Sequence, residues 1–222
     1  MKWGQILVEG QTEERFVQDV LREHLRFFGL ELNPIVLITK RTRDGGRFQG
    51  GLTGFGKFKN EVQRLLGGRS ILVTTMFDYY RLPADFPGME TRPKGSCLER
   101  VNHVEAALHQ HFGSRRDFLP YLSLHEFEAL LFSSLEELPR ILIKPEKISE
   151  FADIRASFPT PEDINERPDQ SPSKRIEALF PTYRKRVHGP IASKRIGLDR
   201  IRAECPYFNA WVKYLEAFAQ IP

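Results

Sequence analysis

Cysteine is scarce: Cys97 and Cys205 are the only two in 222 residues. They form neither the paired spacing of a zinc site nor a disulfide framework, and they suit a reducing cytosol. Long hydrophobic runs are also missing. No stretch approaches the roughly 18 apolar residues of a membrane span, and the first residues carry no apolar signal core. The expectation is a cytoplasmic protein with no membrane partner. Histidine offers no zinc helix, because His103, His109 and His111 lack the i, i+4 pairing that such helices use. Nor does one sign of charge dominate. Thirty-three Lys/Arg against twenty-nine Asp/Glu leave a net charge of +4, a slight bias toward a polyanionic partner. With 41% hydrophobic and 28% charged residues, the composition is that of a globular chain rather than a disordered one.

A phosphate-binding loop is present only in outline. Gly51-Leu52-Thr53-Gly54-Phe55-Gly56-Lys57-Phe58 nearly spells a Walker A motif, but Phe58 replaces the Ser/Thr that binds Mg²⁺. No strand runs directly into Gly51 either. ATP hydrolysis by this segment is rejected.

What the chain does have begins with Ile6-Leu7-Val8-Glu9-Gly10. A strand read over residues 3–8 ends in an acid and a glycine, and helical spacing of Phe16, Val17, Val20, Leu21, Leu25 and Phe28 follows from Thr12 to Phe28. Thr12 is the expected cap and Gly29 the expected stop. Pro34 introduces a second strand over 35–39, and residues 55–66 suit a helix. A third strand over 71–77 runs into Asp78. Residues 85–95 read as a turn-rich loop, 97–112 as a helix and 119–123 as a fourth strand. Strands alternating with helices imply an α/β fold, a mostly parallel sheet flanked by helices. Seven prolines between 145 and 190 break the remainder into short pieces. The expected organisation is a domain over residues 1–140 and a helical, basic C-terminal portion over 141–222. The latter packs back through Trp211, Leu215 and Phe218.

Acids at the tips of two buried strands are the beginnings of a divalent-metal site, because ligands gather at this end of open α/β sheets. A third acid comes from Leu124-His125-Glu126-Phe127-Glu128-Ala129-Leu130-Leu131-Phe132. Read as an α-helix, this segment has Leu124, Phe127, Leu130, Leu131 and Phe132 on one face. Glu128 falls inside that face and Glu126 roughly opposite it, toward solvent. A core-facing carboxylate is costly unless paired, protonated or metal-bound, so Glu128 is the preferred ligand and a buried salt bridge its alternative. Glu13 is either a helix-start acid or a metal contact. His125 is either a packed histidine or a base.

These segments resemble the Toprim domain of primases, topoisomerases and the nucleases named for overcoming lysogenization defect. Val8-Glu9-Gly10-x-Thr12-Glu13 matches that domain's Glu-Gly motif. Phe77-Asp78-Tyr79-Tyr80 matches half of its Asp-x-Asp motif, with Tyr80 in the second aspartate's place. Together with Cys205-Pro206-Tyr207-Phe208-Asn209-Ala210-Trp211, the segments around Asp78 and Glu126 resemble a bacterial Toprim-like group, the domain-of-unknown-function family 4276. The resemblance implies Mg²⁺ or Mn²⁺ held by Glu9 and Asp78; Glu128 joins them by its place on the helical face, and Asp85, Glu126 and Glu13 are the further candidate ligands. The resemblance also implies phosphodiester hydrolysis, a separate ATPase partner and a place in anti-phage defence. The alternative is a non-catalytic nucleic-acid-binding or scaffolding subunit with a degenerate metal site.

Two basic stretches point to nucleic acid, DNA favoured over RNA. Residues 40–59 carry Lys40, Arg41, Arg43, Arg47, Lys57 and Lys59 against Asp44, with Phe48, Phe55 and Phe58 among glycines. Mobile backbone, cations and aromatic faces suit a strand-tracking loop, and a solvated loop with its aromatics tucked in suits them equally. Residues 171–202 hold nine Lys/Arg against Glu177 and Asp199. Of these, Lys174, Arg175, Lys194 and Arg195 are the candidate phosphate contacts, and Arg184-Lys185-Arg186 reads as a solvated helix face.

Overall fold

The structure is a computed structural model that describes residues 1–37, 40–41, 47–48, 52–164 and 167–221. Its strands are β1 (Lys2–Val8), β2 (Leu30–Val36), β3 (Lys40–Arg41), β4 (Arg47–Phe48), β5 (Leu72–Asp78), β6 (Phe118–Leu119) and β7 (Leu122–Ser123). The main sheet runs β2-β1-β5-β6, with β7 also paired to β5, and every pairing in it is parallel. β3 and β4 form a separate antiparallel pair. Parallel strands need crossover connections, and these place helices on both faces of the sheet. Burial on both sides explains why β1 and β5 read as continuous apolar runs. Ile6 and Val8 face one core while Leu7 faces the other, and in β5 Leu72 and Met76 alternate with Val73 and Phe77.

β2 begins five residues earlier than the sequence pattern suggests, at Leu30. Pro34 lies within it opposite Ile6 rather than before it. β2 is at the edge of the sheet, where a residue without an N–H costs no ladder bond. Residues 38 and 39 of the expected strand lie outside the described residues.

The helices are α1 (Gln11–Phe16), α2 (Arg22–Phe27), α3 (Phe55–Leu66), α4 (Cys97–His111), α5 (Glu137–Ile141), α6 (Ile148–Ala156), α7 (Pro172–Leu179), α8 (Lys185–Ile196), α9 (Leu198–Glu204) and α10 (Pro206–Gln220). A π-helical turn, Val17–Leu21, joins α1 to α2 into the long helix that the periodicity predicts. Gly29 ends it at φ +87°, a backbone region open to glycine. Its start differs from expectation: Gly10 occupies the cap position, and Thr12 is buried within the first turn.

The expected fourth strand is two short pieces split at Pro120. The polar backbone at the break is satisfied by one hydroxyl. Thr75 Oγ1 donates to the Tyr121 carbonyl and accepts from the Tyr121 N–H, both at 2.9 Å. The segment that follows is not an α-helix. Glu126 is extended, and a 3-10 helix covers Phe127–Ser133.

The C-terminal helices complete a core begun by the sheet. Phe151, Phe180, Ile201, Phe208, Trp211 and Leu215 share one cluster with Ile6, Val8 and Phe16. Trp211 stacks on Tyr121 at 4.3 Å, and its Nε1–H donates to Thr74 Oγ1 at 3.1 Å. On the other face, Phe58, Val62 and Val104 pack on Leu7 and Phe77. Among the described residues no helix is long and apolar enough to cross a membrane.

Candidate functional site

The C-terminal ends of β1 and β5 are neighbours, since Val8 pairs with Met76. Glu9 follows β1 directly, and its carboxylate accepts the N–H of Asp78, the last residue of β5. β7 lies on the other side of β5, with Ser123 opposite Asp78. The chain leaving β7 therefore passes the same edge and delivers Glu126 and Glu128. Asp78 Oδ1 accepts the Phe127 N–H at 3.0 Å, which ties this segment to the strand end. Glu13 joins from the first turn of α1. Gly10 permits that approach, because a Cβ there would lie 3.2 Å from Glu13 Oε2.

Among the described residues, two cations face these acids. Lys185, the first residue of α8, places Nζ 2.8 Å from Glu128 Oε2 and 4.0 Å from Asp78 Oδ2. Arg81, on the 3-10 turn Tyr79–Arg81 that follows Asp78, reaches Glu126 Oε1 at 3.4 Å. Glu126 Oε2 accepts the Ser173 N–H at 3.0 Å, and Tyr183 Oη donates to Glu128 Oε1 at 3.5 Å. α8 reaches the site because Gly189 lets it lie against α1. A Cβ at Gly189 would stand 3.1 Å from Thr12 Cγ2.

The electrostatics follow from burying more acids than bases. Asp78, Glu126 and Glu128 are 4%, 1% and 0% exposed. Burial pushes Asp78 well above the usual carboxylate range and raises Glu9 and Glu128; Lys185 opposes each shift. Glu13 is pushed up to about 7 by the same burial. Glu126 goes the other way: burial works against its charge, but the N–H and hydroxyl of Ser173, then Lys185 and Arg81, hold it below the ordinary value. Lys185 is raised despite its burial, because Glu128, Asp78 and Glu13 favour its charge.

Five carboxylates against two cations is a surplus of hard oxygen donors, the chemistry that Mg²⁺ or Mn²⁺ takes. The donor types thus suit a divalent ion. Among the described residues, however, no group of three or more His, Cys, Asp or Glu side chains stands gathered around one ion position. The ammonium of Lys185 lies between Asp78 and Glu128 instead.

The structure brings together Glu9, Glu13, Asp78, Glu126 and Glu128. Glu126 corrects the sequence reading: it is buried and hydrogen-bonded, not turned to solvent. The α-helical wheel failed because residues 124–126 are not helical and 127–133 follow a 3-10 path with a different angular step. Asp85 is placed elsewhere, accepting the Phe55 N–H at 2.8 Å at the start of α3. His125 is buried, with Nδ1 3.9 Å from Cys97 Sγ. Lys185 belongs to this site rather than to a solvated helix face, and Arg81, Ser173 and Tyr183 join it there. The available signal was the count of acids expected at buried strand ends, which requires a cation from the basic C-terminal stretch.

Of the candidate nucleic-acid contacts, Lys174 and Arg175 adjoin Ser173, whose N–H bonds Glu126. Lys174 pairs with Glu177 at 2.7 Å, and Arg175 bonds Gln170 and lies over the Phe158 ring at 5.2 Å. Lys194 and Arg195 are exposed at the far end of α8, roughly 14 Å along the axis from Lys185. Lys57 and Lys59 lie on α3. The phenylalanines beside them serve packing: Phe58 is fully buried against Phe77, and Phe55 packs on Phe86 at 5.0 Å. Arg41 and Arg47 pair through their backbones across β3 and β4. Arg43 lies outside the described residues.

Fold and side chains together define an open parallel α/β protein with a buried carboxylate cluster at the C-terminal edge of its strands. The chain belongs to the family described as Domain of unknown function (DUF4276), whose model matches residues 8–216. Comparison with curated proteins finds no match. Among solved structures, the C-terminal region of the Burkholderia pseudomallei OLD protein is similar at 15% identity and a TM-score of 0.46, covering 99% of each chain. The C-terminal region of the Xanthomonas campestris pv. campestris OLD protein is similar at 14% identity and a TM-score of 0.38. That match covers 95% of this chain and 96% of the other.

Proposed function

We propose that this protein is a Mg²⁺- or Mn²⁺-dependent nuclease of the Toprim type, hydrolysing phosphodiester bonds in DNA. The observation that carries the reading is the meeting of Glu9, Asp78 and Glu128, from three separate segments, at one edge of the parallel sheet. These three would hold the metal, with Glu13 and Glu126 beside them. A divalent cation bound there supplies Lewis-acid stabilisation of charge on phosphoryl oxygens. The chain's own residues do the rest. Phe127 N–H orients Asp78, Ser173 and Arg81 hold Glu126 in its ionised form, and the half-exposed Arg81 guanidinium offers a charged contact to a phosphate at the lip. The near-Walker segment lacks its Ser/Thr, so ATP-driven action would come from a separate ATPase subunit. Anti-phage defence is the setting that analogy suggests.

One observation favours a second reading, a nucleic-acid-binding subunit without catalysis. Tyr80 stands where Toprim domains carry a second aspartate, and it is 40% exposed. The two readings part on a single assay with single-stranded DNA, duplex DNA and RNA in Mg²⁺ or Mn²⁺. Nuclease action requires metal-dependent cleavage that drops roughly a hundredfold or more in Glu9→Ala and Asp78→Ala, the scale of lost transition-state electrostatics. Salt-sensitive binding with no cleavage, equal in wild type and variants, would establish the second reading.

A further inference from the structure

We propose that Lys185 is a resident counter-ion that a divalent cation must displace, so that metal and lysine compete for the same carboxylate oxygens. The inference rests on the metal-binding part of the function proposed above. Asp78 and Glu128 each offer two oxygens. Asp78 Oδ1 is engaged by the Phe127 N–H, and Glu128 Oε1 faces the Tyr183 hydroxyl. The other two, Asp78 Oδ2 and Glu128 Oε2, both face Lys185 Nζ, at 4.0 and 2.8 Å. Among the described residues these two oxygens face no neutral donor, so they are the ones a cation ligated by both residues would approach first. Two positive centres cannot share them at such distances without strong repulsion.

The architecture permits the exchange. Lys185 is the first residue of α8, and its side chain is one-third exposed, so an outlet to solvent exists. Four methylene carbons allow the ammonium to swing outward while the helix stays in place. The helix has holds of its own: Arg184 N–H donates to His188 Nδ1 at 2.8 Å within its first turn, and Gly189 is seated on Thr12 of α1. Without metal, the lysine keeps two almost wholly buried carboxylates from facing each other unpaired. With metal, the neutralising charge comes from the ion. Because the coupling is reciprocal, whatever weakens the lysine's hold strengthens the metal's.

Lys185→Met keeps the length of the stem and removes the charge. Calorimetric titration with Mn²⁺ is expected to show this variant binding roughly tenfold more tightly than wild type, within the range of linked sites. Its melting temperature in EDTA should be lower than wild type, and its gain on adding Mn²⁺ larger. A second measurement uses wild-type protein alone: labelling by an amine-reactive acetylating reagent, read by mass spectrometry at Lys185 with Lys174 as internal control. Mn²⁺ should raise labelling of Lys185 several-fold and leave Lys174 unchanged. Unchanged labelling, or equal or weaker Mn²⁺ binding by Lys185→Met when wild-type binding is lost in Asp78→Ala, overturns the competition while leaving the metal site standing. Failure of wild type and variant alike to bind Mn²⁺ overturns the metal site and the competition with it.

Discussion

Glu162 shows how much a single buried acid can organise. Its two oxygens accept the N–H groups of Tyr207 and Phe208 at 2.8 and 2.9 Å, at the start of α10, where Pro206 has no N–H to offer. Glu162→Ala leaves both donors unmet, the Phe208 N–H buried, and should cost about 2 kcal/mol, read as a lower midpoint in urea unfolding. Glu162→Gln keeps one acceptor oxygen and should lose about half as much. Glu105 provides a pH signature. Burial raises its carboxyl from 4.5 to about 7, against the opposing effect of the Leu122 N–H, which it accepts at 2.7 Å. The folded state therefore holds a proton that the unfolded chain releases. The stability from this group is complete below pH 4.5 and is lost as pH rises through 7. Between those values the slope approaches about 1.4 kcal/mol per pH unit. Glu105→Gln should flatten the fall in melting temperature between pH 5 and 8; parallel curves for the two proteins would exclude this role.

α8 is the element on which the site depends most, and its position hinges on Gly189. Valine there must push against Thr12 Cγ2 and the Tyr183 hydroxyl, which a Cβ alone would approach at 3.1 and 3.4 Å. Overpacking of this kind costs about 1–3 kcal/mol. Gly189→Val should also separate Lys185 from Glu128, so amine labelling of Lys185 should rise even without metal. Unaltered labelling would show that the helix start is held independently of its seat on α1. At this scale the sequence was informative where an element is stabilised locally. α3 and α4 fall where their periodicity puts them, and α4 carries the Ser96–Glu99 capping box that marks its start. It was misleading at 124–135, where an apolar pattern compatible with an α-helix is pulled into an extended and 3-10 path. The Asp78 carboxylate bonding the Phe127 N–H, and Ser173 bonding Glu126, hold that path from outside the segment.

At the scale of the molecule, the C-terminal helices and the sheet share one core. Phe180, Phe208, Trp211, Val212 and Leu215 cover the face of the sheet that carries Ile6, Val8 and Leu72. A chain ending at residue 140 would expose that face and lose Lys185 as well. It should purify as an aggregate or bind a hydrophobic dye strongly, whereas a cooperative unfolding transition would show that the first 140 residues stand alone. The sequence by itself determined the alternation of strands and helices, the two-sided burial of β1 and β5, and the acids at their tips. All of these are written in neighbouring residues, through apolar period and a terminal carboxylate. Only the tertiary structure decided which cation meets those acids. Lys185 and Glu128 are 57 positions apart and Ser173 and Glu126 47, so no local pattern links them. The first pairing follows from α8 seating on α1, and both from the cost of leaving a buried carboxylate without a partner.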